Sequence, residues 1–267
     1  MTEPAIAIEE HGSGQPLVLV HGLGTSRAIW HRVVPELARD RRVVLVDIPG
    51  FGESEPLGEG FEFDEVALAI DNVIAERVNE PYDLLGTSLG GALALTLATE
   101  RPASVRRLVL AAPAGFHPHH PIIAVAAGHV GAAIVRVRRE LGRHLVRRAS
   151  ARRALLWRVV HDAAWLPASD AHLMLSASRA ARRVREATQT AAGSDLLPLI
   201  RRVSTPVGLL WGEHDHVVPI ANSRGMTAAR PELPFETVRD AGHVPHLERP
   251  NEWTAAVRRL LDRLANP

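Results

Sequence analysis

The chain has 267 residues, 46% of them apolar, a formal net charge of +1 and no cysteine. That length suits one α/β domain with a large core, and the missing thiols exclude disulfides and a cysteine nucleophile. All 31 basic residues are arginine, which excludes a lysine Schiff base, a lysine general base and a P-loop lysine.

The first residues carry no basic stretch followed by an apolar block, so no secretory leader is expected. With the absence of cysteine, this makes a reducing, cytoplasmic setting the expectation. No run of 18 apolar residues occurs, and no spanning helix is expected. The charge is unevenly spread: residues 117–195 hold thirteen arginines against five acidic residues, a net +8, and the remainder is acidic.

In chain order, short β-branched apolar runs at 17–20 and 43–46 read as buried strands, with a helical pattern at 28–39 between them. A helix is expected over 64–79, with Asp64 as a plausible N-cap. The apolar run Tyr82-Asp83-Leu84-Leu85 leads into Gly86-Thr87-Ser88-Leu89-Gly90, then a helical stretch to about 100. Strands follow at 108–111, 207–211 and 235–238, and helices at 221–229 and 251–264, the last with Asn251 as a plausible cap. Strand–helix alternation with nearly continuous apolar strands implies a mostly parallel sheet covered by helices on both faces.

The alternation stops between 117 and 195, where helices follow one another. Pro113, Pro118 and Pro121 open this region and Pro198 lies just beyond it. The expected organisation is a core of residues 1–116 and 196–267 carrying an inserted helical cap at 117–195. Ile134, Val137, Leu141 and Leu145 recur at three- and four-residue spacing with arginines on other faces, the pattern of an amphipathic helix. The apolar stretch 122–135 either roofs an acyl pocket or packs ordinarily.

A serine between two glycines at a strand-to-helix turn suggests a nucleophile elbow, whose strained backbone exposes the hydroxyl. Serine needs a base within hydrogen-bond reach and a group to orient that base. Asp215 follows the strand at 207–211, and His243 follows that at 235–238. Glu213 is the alternative acid, and His246, His214 and His216 are the alternative bases. The backbone N–H of Leu89, at a helix N-terminus, is suited to hold a developing oxyanion. His117, His119 and His120 read as a solvated loop rather than a metal site.

Five segments in this order resemble the α/β-hydrolase fold superfamily, serine-nucleophile branch, over nearly the whole chain. They are His21-Gly22-Leu23-Gly24, Asp47-Ile48-Pro49-Gly50-Phe51-Gly52-Glu53-Ser54, the elbow at 86–90, the stretch from Gly212 through Asp215 to Val218-Pro219, and that from Gly242-His243 to Glu248-Arg249-Pro250. The resemblance implies Ser88 as nucleophile, His243 as general base and Asp215 as its orienting acid. It implies backbone N–H groups of Leu23 and Leu89 as oxyanion donors, with Asp47 structural and His21 shaping the loop. Gly22, Trp30 and His246 are the expected substrate contacts. The implied activity is hydrolysis of small to medium apolar carboxylic esters through an acyl-enzyme, with water as co-substrate and no cofactor or metal. Carbon–carbon bond hydrolysis of a ring-fission diketone, lactone hydrolysis and cofactor-free haloperoxidase-like chemistry stay open, as does a non-catalytic ligand sensor. No nucleic-acid partner is expected, and the sequence is silent on oligomeric state.

Overall fold

A computed structural model describes residues 5–117, 119–163, 166–177 and 181–265. Seven strands form one sheet in the order β1-β3-β2-β4-β5-β6-β7. They are β1 (Ile8–His11), β2 (Gln15–Val20), β3 (Arg41–Val46), β4 (Tyr82–Thr87), β5 (Val105–Ala111), β6 (Val207–Gly212) and β7 (Phe235–Val238). Only β1 runs antiparallel, against β3. The other five pairings are parallel.

The sheet is buried on both faces because alternate residues of each strand feed two separate cores. Val18 and Val20 of β2 enter one core with Val44 and Val46 of β3, while Leu17 and Leu19 enter the other with Val43 and Leu45. Period-two alternation with apolar side chains on both sides produces the continuous apolar runs. Helices α2 (Phe63–Ala75) and α3 (Leu89–Glu100) cover the first face; α1 (Val34–Leu37) and α11 (Pro250–Ala265) cover the second.

Between β5 and β6 lie α4 (Pro121–Leu145), α5 (Ala149–Leu155), α6 (Ala168–Ala177), α7 (Val184–Gly193) and α8 (Leu197–Arg202). No strand occurs there among the described residues. Val184 and Ala187 join one core while Leu155, Leu156 and Met174 join the other, so this segment straddles both sides of the sheet. After β6 come α9 (Arg224–Ala229) and, after β7, α10 (Pro245–Glu248).

Several expectations need correction. The helix at 28–39 is a 3-10 turn at Arg27–Trp30 followed by the single turn of α1. Likewise 221–229 divides into a 3-10 turn and α9. The N-cap of α2 is Glu62, with Asp64 inside the first turn, and α11 starts at Pro250 with Asn251 already helical. Pro118 lies outside the described residues.

The larger correction concerns α4. Val137 and Leu141 face away from the protein, Ile134 is exposed on one side while it lines the cavity beside Ser88, and Leu145 is half-buried. Small residues take the inner positions instead. A Cβ on Gly128 would strike the Arg185 carbonyl of α7, and one on Gly142 would strike Leu175 of α6. Close helix approach therefore needs glycine inside and leaves the bulky side chains outside. The stretch Pro121–Gly142 is also long and apolar enough to cross a membrane by length and composition, with only 11% of its most apolar window buried, contrary to the reading from apolar runs.

Candidate active site

Ser88 sits between β4 and α3 at φ +53°, a left-handed conformation that costs an L-residue energy. The surrounding structure enforces it. Ser88 N–H donates to the Ala111 carbonyl at 2.9 Å, and the Ser88 carbonyl accepts from Ala114 N–H at 3.0 Å. Gly86 and Gly90 are required because a Cβ on either would collide with backbone: Gly90 for the first, Val20 and His21 for the second. Leu89 is the first residue of α3, where a helix leaves N–H groups without an internal acceptor.

Asp215 and His243 come together from the loops after β6 and β7. His243 Nδ1 lies 2.7 Å from Asp215 Oδ2. The other oxygen, Oδ1, accepts from Val217 and Val218 N–H at 2.8 and 2.9 Å. The carboxylate is buried and aimed by these three bonds, so His243 carries its proton on Nδ1 and leaves Nε2 as acceptor. His243 and Ser88 line one cavity of about 260 Å³. No hydrogen bond joins the two side chains.

The alternative residues stand elsewhere. Glu213 is exposed, and its Oε2 lies 3.4 Å from Asp240 N. His214 stacks on His161 with ring centroids 4.0 Å apart, and His216 is exposed. His161, His214 and Asp240 place three potential ligand atoms within 4.8 Å of one another, the one such grouping among the described residues. Arg249 already approaches Asp240 Oδ2 at 4.0 Å, so that carboxylate has a cationic neighbour without an ion. His117 and His119 line a second cavity, and the His120 ring accepts from Ile122 N–H at the start of α4.

The loop after β2 is organised by a buried imidazole. His21 Nε2 accepts from Ile48 N–H at 3.0 Å, so Nδ1 is protonated and donates to the Gly22 carbonyl at 2.9 Å. Thr25 Oγ1 donates to the same carbonyl at 2.8 Å. Since a trans peptide sets its C=O and N–H in opposite directions, pinning the Gly22 oxygen turns the Leu23 N–H the other way. Burial keeps His21 neutral by lowering its pKa, against the opposing Gly22 bond. Asp47 is wholly buried and accepts from Arg27 and Glu53 N–H, a structural role that closes the loop after β3.

Gly22 and His246 line the cavity with Ser88; Trp30 does not. Trp30 is fully buried against His246 and Trp253, with centroids 4.6 and 5.7 Å away. Its indole is core, which corrects its expected substrate contact. Burial, with His243 and His31 nearby, lowers the His246 pKa to about 3.

Three features escaped the sequence reading. Arg138, Val159 and Met174, from the helical segment, line the cavity. Ser88 and Leu23 also border a second cavity of about 300 Å³ with Leu89, His117 and Asn222. Glu248 accepts from Gly242 N–H at 2.8 Å and His161 N–H at 2.7 Å, tying the His243 loop to the helical segment. Burial pushes its carboxyl up to about 7, against the hydrogen bonds it accepts. No local pattern marks Arg138, Val159 and Met174 as cavity walls, and Glu248, quoted in the sequence only as part of a segment, gained its tie to His161 from the fold.

The chain is similar to several known proteins. A pimeloyl-[acyl-carrier protein] methyl ester esterase of Aeromonas hydrophila is 43% identical over 108 residues, covering 40% of this chain and 41% of the esterase. A 2-hydroxymuconate semialdehyde hydrolase of Pseudomonas sp. is 42% identical over 112 residues, 40% of each chain. The chain thus spans about two-fifths of the length of these relatives. The structure of a thermophilic esterase from Thermogutta terrifontis superposes with a TM-score of 0.75 at 26% identity, covering 98% of this chain and 94% of the other. The family model described as alpha/beta hydrolase family matches residues 17–257. With its mostly parallel sheet and a serine at the strand-to-helix elbow, this chain belongs to the alpha/beta hydrolase family.

Proposed function

We propose that the protein hydrolyses carboxylic esters through an acyl-enzyme on Ser88. The observation that carries this reading is the 2.7 Å bond from His243 to buried Asp215 in a histidine that shares a cavity with Ser88. His243 Nε2 takes the Ser88 proton as Oγ attacks the ester carbonyl. The oxyanion accepts from the backbone N–H groups of Leu23 and Leu89. The intermediate collapses, the alcohol leaves with the proton from His243, and water attacks the acyl-enzyme by the same route. Asp215 stays ionised throughout and stabilises the imidazolium.

Two cavities meeting at Ser88 suit a substrate with two arms. The larger apolar surface lies in the cavity lined by Ile29, Val135, Leu156 and Met174, which suits an apolar acyl chain. The second, with His117, His119 and Asn222, suits a more polar alcohol portion. Residues 117–195 act as the cap of this site on a core of 1–116 and 196–267. The esterase relative and the esterase structure support ester chemistry.

A second reading, carbon–carbon bond hydrolysis, is favoured by Arg138, a guanidinium in the cavity wall that suits a carboxylate-bearing substrate, and by the semialdehyde hydrolase relative. A panel of p-nitrophenyl esters of increasing chain length, lactones and a ring-fission diketone separates the two. Ser88→Ala is expected to abolish fluorophosphonate labelling and to lower ester turnover by about three orders of magnitude or more. Unchanged ester hydrolysis by this variant rules the mechanism out; turnover of the diketone alone moves the assignment to carbon–carbon cleavage.

A further inference from the structure

We propose that the outward face of α4, together with Trp157, docks on an anionic lipid bilayer. Two properties of α4 point there. Its inner face is lined by Ala124, Gly128 and Gly131, which lets it lie close against α7. Its outer face carries Ile122, Ile123, Val130, Ile134, Val137 and Leu141, all exposed, the first to 74%. At 3.6 residues per turn these fall on one stripe along the helix. An ordinary surface helix turns this stripe inward; here it is presented to the outside, and a contiguous apolar surface of this kind marks an interaction site.

The neighbourhood says what covers it. Trp157 is 69% exposed and is tethered beside the stripe, where Arg138 Nη2 donates to its carbonyl at 3.3 Å. The Arg158 guanidinium lies 5.8 Å from the Trp157 ring centroid. An exposed indole flanked by guanidinium groups suits the headgroup level of a bilayer, where its apolar body and polar N–H are both satisfied. By helical geometry Arg136 flanks the stripe, Arg138 stands on its other side where it reaches the Trp157 carbonyl and the cavity wall, and Glu140, on the edge of the stripe in line with Ile122, has its charge paired by Arg139. With thirteen arginines and five acids in 117–195, a second copy of the chain would bring like charge against like. An anionic lipid surface offers apolar depth for the stripe and phosphate for the arginines.

The helix lies along the surface rather than across the membrane. His119 N–H donates to the Ala192 carbonyl of α7 just before α4 begins, and the inner face is packed along the rest of the segment. Arg136, Arg138, Arg139 and Glu140 fall in the second half of the helix. Ile134 is both exposed and part of the Ser88 cavity wall. Docking through this face therefore sets the cavity against the lipid. The docking rests on the surface alone and stands whether or not Ser88 is the nucleophile.

The test is flotation of the full chain with vesicles of equimolar phosphatidylglycerol and phosphatidylcholine, against phosphatidylcholine alone. The wild type is expected to float with the anionic vesicles, less so as salt is raised. The combined variant Ile123→Gln, Val130→Gln, Val137→Gln is expected to lose about tenfold or more in binding, with short-chain ester turnover unchanged, which reports intact folding. Trp157→Ala is expected to weaken binding without altering that turnover. The proposal is overturned if the wild type stays with neither vesicle or floats equally with both. It is also overturned if the triple variant floats like the wild type, or if sedimentation shows a dimer that the triple variant dissolves.

Discussion

At the scale of single residues, the Gly22 carbonyl shows how a buried network sets a donor it does not contain. His21 and Thr25 hold that oxygen from one side, and the Leu23 N–H is directed by the rigidity of the peptide plane. Thr25→Val keeps the shape of the side chain but removes one of the two side-chain holds, while the Thr25 N–H stays 3.4 Å from the same oxygen. We expect kcat for an ester substrate to fall about tenfold with KM nearly unchanged, the loss of about one hydrogen bond in the transition state. Steady-state kinetics check this; an equal rise in KM would assign Thr25 to substrate binding. His21 was legible in the sequence only as part of a motif, because its partner Ile48 comes from the next strand loop.

Among the elements, β4 is the strand that holds Ser88, and its other end is fixed by charge. Asp83 is buried and accepts from Arg41 of β3 and from Arg106 and Arg107 of β5. Arg107 also donates to the Leu261 carbonyl of α11 at 2.6 Å. Burial would push the Asp83 carboxyl up, but the bonds from Arg107 and Arg106 outweigh it and hold it below the usual range. Removing the charge leaves the half-buried cluster of guanidinium groups uncompensated. Asp83→Asn is therefore expected to destabilise the fold by about 3 kcal/mol, measured by urea unfolding. The apolar strands announced themselves by composition. The edge strand β1 did not, since Ile8-Glu9-Glu10-His11 has two carboxylates where a buried strand would have apolar residues. Its pairing with β3 and the reach of Glu9 to Arg27 and of Glu10 to Arg42 are tertiary facts.

Over the whole molecule, stability against pH combines groups of opposite sign. His246 stays neutral down to about 3 when folded but protonates near its ordinary value when unfolded. The unfolded chain then binds more protons, so this contribution is lost as pH falls through the window from 6.5 to about 3. Asp83, held low, adds loss in the same direction below its ordinary value. Glu248 acts oppositely: folded, it holds its proton to about 7, unfolded to 4.5. Between these values the folded chain binds more protons, and stability falls as pH rises. Glu248→Gln removes the opposing part. Urea midpoints of this variant at pH 5 and pH 7 are expected to show stability rising with pH more steeply than in the wild type, by about 1–3 kcal/mol across the window. An unchanged slope would mean that the Glu248 carboxyl is ionised throughout.

The sequence by itself determined the apolar parallel strands and the strand-to-helix turn at Ser88, and it marked Asp215 and His243 as residues of the loops after β6 and β7. Each depends on local chemistry: apolar runs make buried strands, and glycines flank a left-handed serine because backbone passes close by. Tertiary structure alone decided what surrounds that serine. The cavity walls come from helices whose register is set by packing against one another, and the same packing chose which side of α4 faces inward. The spacing of Ile134, Val137 and Leu141 specified an apolar stripe, but a stripe has no inside until its partner helix is in place. Glycines at 128, 131 and 142 let α7 and α6 approach the other side, and the stripe was left facing out.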